Sequence, residues 1–285
     1  MEAVVLFILL PLVLIAVIGL QRPDRGVVDR WGESYGASMD GGNRETIERY
    51  LTRTRRLRFL FALGGLVLNT LIHGWVKHPP EWVNGIFLAG AGYLVGAVIA
   101  EMTLPSPVRG TEPMAMLSPR RIGAYLPRYA IVALVALPLF SAALAAVFAW
   151  LSPPRKAGLA DVSALAGACV VGALFAIVVG FAMRTVVRRP QPAASVELVA
   201  LDDAIRSSSL HAIAGAAVAL QLLLLGFLLS QVQGALSATY RYPRFEALAT
   251  ILTLLALAMS LASWVILGHP RVWRTRRPAV AVRSE

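Results

Sequence analysis

Seven long apolar runs constrain the fold of this chain more than any other feature of its sequence. Crossing a hydrocarbon core of about 30 Å takes roughly 20 helical residues, and lipid permits only helices or closed barrels. These runs are too long and too uniformly apolar for barrel strands, which alternate over about ten residues. We therefore predict an all-α, polytopic transmembrane helical bundle of about seven spans. The runs cover approximately Ala3–Leu20, Phe59–Val76, Val83–Ala100, Tyr129–Leu151, Val162–Met183, Ala212–Ser230 and Leu248–Leu267.

The composition agrees with a chain embedded in a bilayer. Of the 285 residues, 57% are hydrophobic and 15% are charged, whereas a soluble domain carries about 25% charged residues. The net charge of +11 does not predict nucleic-acid binding. The basic residues flank the apolar runs, where membrane orientation and anionic lipid headgroups account for them.

The basic residues also predict an orientation. Twenty-two lie in links 21–58, 101–128 and 184–211 and in the tail after Leu267, and five lie in the intervening links. Because basic residues collect in cytoplasmic loops, we expect the N-terminus outside and the C-terminus in the cytoplasm. The predicted location is a bacterial cytoplasmic membrane, crossed several times.

We expect a single membrane domain over residues 1–285 built from repeated hairpins. Each hairpin would consist of a span, a short amphipathic cytosolic helix and a second span. The predicted units are hairpins 1–76, 83–151 and 160–230, a closing span 248–267 and a basic cytosolic tail 268–285.

A sequence match supports the repeat. Met114–Arg128 aligns with Met39–Arg53 at a shift of 75 positions, which places Tyr125 on Tyr50. Both segments read as helices that run into the next span. Asn43, Ser118 and Asp202 are the expected N-terminal caps of the three cytosolic helices, because short polar side chains accept hydrogen bonds from free backbone N–H groups.

Glycines indicate where spans approach one another. Gly92 and Gly96 in the third span form G-x-x-x-G, which lets two helix backbones lie close together. The fifth span is also rich in glycine, so we expect these two spans to pack centrally. The motif is interpreted as a contact within one chain, with a homodimer face as the alternative.

Ionisable groups at membrane depth are functional candidates. Glu101 closes the third span and is expected to pair with Arg184 or with an arginine of the neighbouring cytosolic helix; a gating or coupling role is the alternative. Asn69 and His73 lie four residues apart on the second span. They predict either hydrogen bonds between helices or the lining of a cavity that carries protons.

The segment LDDAIRSSSLHA, residues 201–212, is the densest polar cluster beside a span. Asp202 and Arg206 are interpreted as a helix pair at i and i+4. Asp203 and His211 are candidates for a catalytic site, although adjacent aspartates point in different directions and serines two or three residues from a histidine do not face it. The sequence contains no P-loop, dinucleotide-binding or zinc motif, and no cofactor or metal is predicted.

Three runs, GYLVGAVIAEMTLPSP, LSPRRIGAYLPR and LDDAIRSSSLHA, resemble uncharacterised multi-span integral membrane proteins of GC-rich bacteria. Such proteins are sometimes placed beside ATP-binding transporter components, so the resemblance implies an association with transport. The leading hypothesis is a permease-like or accessory membrane component whose cytosolic helices, with Arg120 and Arg121, contact a cytosolic ATPase. The alternatives are a non-catalytic scaffold for other membrane subunits and, behind it, an intramembrane enzyme acting on lipid.

Overall fold

The structure is a computed structural model that describes residues 21–37, 41–77, 84–103, 113–114, 121–151, 159–189, 191–192, 196–240 and 243–268. These residues confirm the all-helical class. The described α-helices are α1 Arg25–Tyr35, α2 Gly41–Trp75, α3 Gly85–Thr103, α4 Arg128–Leu151, α5 Leu159–Arg188, α6 Val196–Tyr240 and α7 Pro243–Gly268. A short 3-10 helix, Ile122–Ala124, precedes α4, and Pro113–Met114 pairs antiparallel with Gln191–Pro192.

Six helices, α2 to α7, are long and apolar enough to cross a membrane. They coincide with the second to seventh predicted spans, so the chain has the character of a multi-pass membrane protein. The predicted first span, Ala3–Leu20, lies outside the described residues, as do Arg120 and residues 269–285 of the predicted tail.

The centre of the bundle is α6. In the apolar stretch of 18 residues within Leu198–Gln231, 83% of the residues are buried, and in the corresponding stretch of no other spanning helix does the share exceed 39%. The main core joins residues of α3, α4, α5 and α6, while α7 packs along α6 as the second arm of a hairpin. The third and fifth spans contribute to this core, as expected, but they flank α6, which has few glycines and uses leucine and alanine to fill the centre.

The G-x-x-x-G motif serves a contact within the chain. Gly92 and Gly96 of α3 face the backbone of α2, and a Cβ built on Gly96 would lie 2.6 Å from the carbonyl oxygen of Leu57. Gly65 of α2 faces the Leu88 carbonyl of α3 in the same way. Since α2 already occupies this face of α3, Gly92 and Gly96 do not form a homodimer face.

Large apolar side chains cover the outward faces of the spanning helices. Exposed examples include Leu68 of α2, Leu139 of α4, Ile177 of α5 and Leu254 of α7. A monomeric soluble protein rarely exposes such broad apolar surface, so these faces fit contact with lipid.

Two of the predicted cytosolic helices are extensions of spans. With 35 and 45 residues, α2 and α6 measure about 50 and 65 Å at 1.5 Å per residue, well beyond the membrane core. Both begin earlier than predicted, so Asn43 and Asp202 lie inside helices and do not cap them. The apolar face of the α2 extension also differs from expectation: Ile47 and Tyr50 are buried against protein, because α1 and α6 cover the side predicted to face lipid.

The described residues of Met114–Arg128, which are 114 and 121–128, do not form a helix like the one over residues 41–53. Met114 belongs to the short strand, and Ile122–Ala124 is a single 3-10 turn that ends before α4 begins at Arg128. Ser118 lies outside the described residues. Pro127 explains part of the difference, since a proline disfavours helical geometry in the residue before it. The repeat is therefore not reproduced in secondary structure over the described part of this segment.

The helix α1, Arg25–Tyr35, was not predicted from the sequence. Local signals mark both of its ends. The Asp24 side chain accepts a hydrogen bond from the Arg25 N–H, and Gly36 ends the helix with φ 66°, in the left-handed region that glycine adopts readily. The spacing of Val28, Trp31 and Tyr35 gives one apolar face, which packs against α2 and α6.

Candidate functional site

We define the arginine-rich end of the bundle as the end where α2, α4 and α6 begin and α3 and α5 finish. Ten of the described arginines at this end are exposed, against three exposed carboxylates, those of Asp24, Glu33 and Glu45. At the opposite end, Lys77 is an exposed cation. The exposed arginines are Arg22, Arg25, Arg30, Arg49, Arg53, Arg56, Arg121, Arg128, Arg184 and Arg188.

Beneath these arginines, Glu101 is almost completely buried, with 1% of its surface exposed. The Tyr50 hydroxyl donates a hydrogen bond to its carboxylate at 3.1 Å. Two cations flank the same carboxylate: Arg58 of α2 at 3.8 Å and Arg189, just after α5, at 3.5 Å. Glu101 was expected to pair with Arg184 or with an arginine of the neighbouring cytosolic helix. Arg58 of α2 is an arginine of the second kind, whereas Arg184 is exposed and does not pair with Glu101.

Tyr50 connects this carboxylate to the central helix. Its hydroxyl lies 3.0 Å from the Ser209 hydroxyl of α6, and Ser209 donates to the Ile205 carbonyl at 2.8 Å. Both side chains are buried. One polar chain therefore links α2, α3 and α6 at the depth where Glu101 ends the apolar part of α3.

Arg206 of α6 binds the end of α5. Its guanidinium pairs with Asp202 at 2.7 and 2.8 Å, as the i, i+4 interpretation predicts. It also donates to the carbonyl oxygens of Val186, Val187 and Arg189 at 3.2, 3.3 and 2.9 Å. The last carbonyls of a helix lack partners within it and carry partial negative charge. Arg206, only 1% exposed, thus caps α5 from a neighbouring helix, a role that the sequence pattern did not indicate.

Further polar contacts hold α1 and the turn before α4 against α6. The Trp31 indole donates to the Ser208 hydroxyl at 3.2 Å, and Tyr35 bonds to the same hydroxyl. Burial raises the pKa of the Tyr35 phenol, which keeps it neutral and able to donate. The Tyr125 hydroxyl donates to Asp203 at 3.1 Å. Asp203, a candidate catalytic residue, thus has a structural partner.

His211 is 2% exposed and lies one turn after Ser207 on α6. Its Nδ1 is 2.8 Å from the Ser207 carbonyl oxygen and 3.5 Å from the Ser207 hydroxyl. Because a carbonyl only accepts, Nδ1 carries the proton and cannot take one from Ser207. Nε2 has no hydrogen-bond partner among the described residues. Sequence reasoning excluded serines two or three positions away and overlooked Ser207, four positions away.

Asn69 and His73 lie one turn apart on α2. Nδ1 of His73 is 3.0 Å from the Asn69 carbonyl of the same helix, and the imidazole is exposed. Asn69 is half-buried beside Gly85 of α3, and its side-chain oxygen has no partner among the described residues. The predicted roles of this pair, hydrogen bonding between helices or lining a cavity that carries protons, remain predictions.

Gln221 is a buried polar residue that sequence reasoning missed. Its amide donates to the Gly172 carbonyl of α5 at 2.7 Å, and the side chain is 3% exposed. The signal was available, because Gln221 is the one amide side chain within the apolar run 212–230. It joins α5 to α6 in the middle of the bundle.

The described network of ion pairs and hydrogen bonds holds helices together. Its carboxylates pair with arginines or a tyrosine, and no group of three histidine, cysteine, aspartate or glutamate residues in the described ranges could hold a metal ion. Comparison with known protein families, curated protein sequences and solved structures finds no match.

Proposed function

We propose that this chain is a transport-associated integral membrane component, permease-like or accessory, whose arginine-rich end contacts a cytosolic partner. The observation that carries the proposal is the unbroken course of α2 and α6 from this end into their apolar segments. Both helices are longer than a bilayer core requires, so a force on their extensions reaches the spans without passing through a flexible joint.

The position of α1 supports the proposal. Its apolar face packs against the extensions of both α2 and α6, and Trp31 adds a hydrogen bond to α6. Its opposite face leaves Arg25, Arg30 and Glu33 exposed. A partner bound to α1 therefore acts on α2 and α6 together. The excess of arginine predicts an acidic surface on that partner, such as a cytosolic ATPase.

Co-purification from membranes in a gentle detergent tests the proposal. We expect a cytosolic ATPase to remain bound to the wild-type chain, and we expect Arg30→Glu or Arg121→Glu to reduce its recovery several-fold, since a charge reversal at an interface opposes a complementary surface. Lys77→Glu, an equal reversal at the opposite end, is the control and retains the partner. An ATPase absent from the wild-type sample, or lost equally with the control, contradicts the proposal.

A scaffold for other membrane subunits is the second candidate. The observation in its favour is an open position on α5: a Cβ added at Gly180 meets nothing within 4 Å, and the neighbouring Ile177 and Phe181 are exposed. A small residue between large apolar ones suits the approach of another membrane helix. Recovery of membrane proteins alone, released by Gly180→Leu, would favour this candidate over the first. The lipid-acting enzyme has no comparable support, because His211 lacks a described carboxylate partner and its Nδ1 is engaged by a carbonyl.

A further inference from the structure

Arg58 and Arg189 bind Glu101 loosely. The separations of 3.8 and 3.5 Å exceed the 2.7–2.9 Å that is usual for hydrogen bonds between an arginine and a carboxylate. The nearby Arg206 meets its own carboxylate at 2.7 Å. One buried carboxylate therefore lies between two guanidinium groups without binding either of them tightly.

Each of these two arginines also has a buried nitrogen with no acceptor. Nε of Arg58 and Nη2 of Arg189 are buried and have no hydrogen-bond partner in the described part of the chain. By contrast, all three nitrogens of Arg206 are bonded. A buried charged donor without an acceptor is costly, so this geometry calls for an acceptor that is an anion.

The charges nearby lead to the same conclusion. The cations are Arg58 and Arg189, together with Arg206 at the end of α5 and Arg53, which donates to the Thr103 carbonyl at the end of α3. Among the described carboxylates, those that pair with these cations are Glu101 and Asp202. Two helix C-termini add about −0.5 each. Within this described set, four positive charges against two carboxylates and two helix ends leave about one positive charge uncompensated.

We propose that Arg58 and Arg189 form a site for a phosphate group, supplied by an anionic lipid headgroup or by free phosphate. Guanidinium groups bind the oxygens of phosphate through paired N–H donors, and a phosphate group has enough oxygens to serve both arginines. The side chains of Arg58 and Arg189 keep 15% and 20% of their surface exposed, although the two unbonded nitrogens are themselves buried. Glu101 lies between the two guanidinium groups and competes with the phosphate for their N–H donors.

The test uses the full chain, purified in neutral detergent and depleted of lipid. Titration calorimetry measures binding of inorganic phosphate in one arm and of phosphatidylglycerol in mixed micelles in the other, with phosphatidylcholine micelles as the reference. Saturable binding at one site in either arm is the expected result and identifies the source of the phosphate. Absence of saturable binding in both arms overturns the proposal.

Matched variants separate the site from general charge. Arg58→Gln with Arg189→Gln should weaken binding at least about tenfold, equivalent to about 1.4 kcal/mol. Arg56→Gln with Arg188→Gln removes the same charge from exposed neighbours and should bind as the wild type does. Equal weakening in both pairs overturns the proposal.

Two single variants keep the test decisive where the double variant fails to fold. Glu101→Gln removes the competing carboxylate, so phosphate should bind more tightly; weaker binding overturns the proposal.

Glu112→Gln tests whether a carboxylate from outside the described residues occupies the site instead of phosphate. Phosphate binding that appears only in this variant would mean that the chain itself supplies the anion, which also overturns the proposal. None of these results depends on a cytosolic partner.

Discussion

At the scale of single residues, Arg206 is the side chain whose loss the structure predicts to be most costly. It neutralises Asp202 and satisfies carbonyls at the end of α5. Removing one member of a buried ion pair costs about 3–5 kcal/mol, because the other charge remains buried without a partner. We expect Arg206→Gln to destabilise the chain by an amount of this order in thermal or detergent-induced unfolding.

Asp202→Asn is the matched comparison. It leaves Arg206 bonded to the carbonyls of α5, so we expect a smaller loss than for Arg206→Gln. The double variant should be less destabilised than the sum of the two single changes, since it leaves no unpaired carboxylate. Equal effects of the two single variants would contradict the capping role of Arg206.

The sequence predicted one ion pair of this region correctly and named a wrong partner for the other buried carboxylate. Asp202 with Arg206 followed from the helical spacing. The pairing of Glu101 with Arg184 was wrong because the fifth span was expected to end at Met183, whereas α5 continues to Arg188. The extra turn leaves Arg184 on the exposed surface and brings Arg189, where the chain leaves the helix, to Glu101.

At the scale of elements, adjacent glycines of α2 give a sharp test of the α2–α3 contact. Gly65 faces the Leu88 backbone of α3, while a Cβ at Gly64 meets nothing within 4 Å. Gly65→Ala forces two backbones apart and should destabilise the bundle by about 1–3 kcal/mol, the usual cost of overpacking. Gly64→Ala should be neutral or slightly stabilising, because alanine favours helix. Thermal unfolding of the two variants under the same conditions measures this difference in stability. Equal stability of the two variants would mean that α2 and α3 do not meet at Gly65.

Element boundaries were predictable where capping chemistry was local. Asp24 and Gly36 mark the ends of α1, and this signal was present in the sequence although the helix was overlooked. The starts of α2 and α6 were less predictable, since polar residues such as Asn43 and Asp202 resemble caps. Each is buried within a helix, and Asp202 is compensated there by Arg206 of the same helix. Sequence matching at a shift of 75 positions likewise could not show that residues 121–128 contain a single 3-10 turn where the α2 extension is helical.

At the scale of the whole molecule, the six described spans follow from apolar length alone, but their arrangement does not. The central place of α6 depends on which faces of this helix are covered by other helices. Only the packing of α3, α4, α5 and α7 against it shows this. The uneven distribution of charge between the two ends is the feature that predicts orientation. Both proposed contacts, with a cytosolic partner and with a phosphate group, lie at the arginine-rich end, and the partner contact requires that end to face the cytoplasm.

Labelling from outside intact cells tests this orientation most directly. In a Cys169→Ser background, Arg30→Cys and Lys77→Cys each place one thiol at an exposed position at opposite ends of the bundle. With a maleimide that cannot cross membranes, we expect Lys77→Cys to be labelled in intact cells and Arg30→Cys to be labelled only after the cells are opened. Labelling of Arg30→Cys in intact cells, with Lys77→Cys protected, would place the arginine-rich end outside and contradict the account.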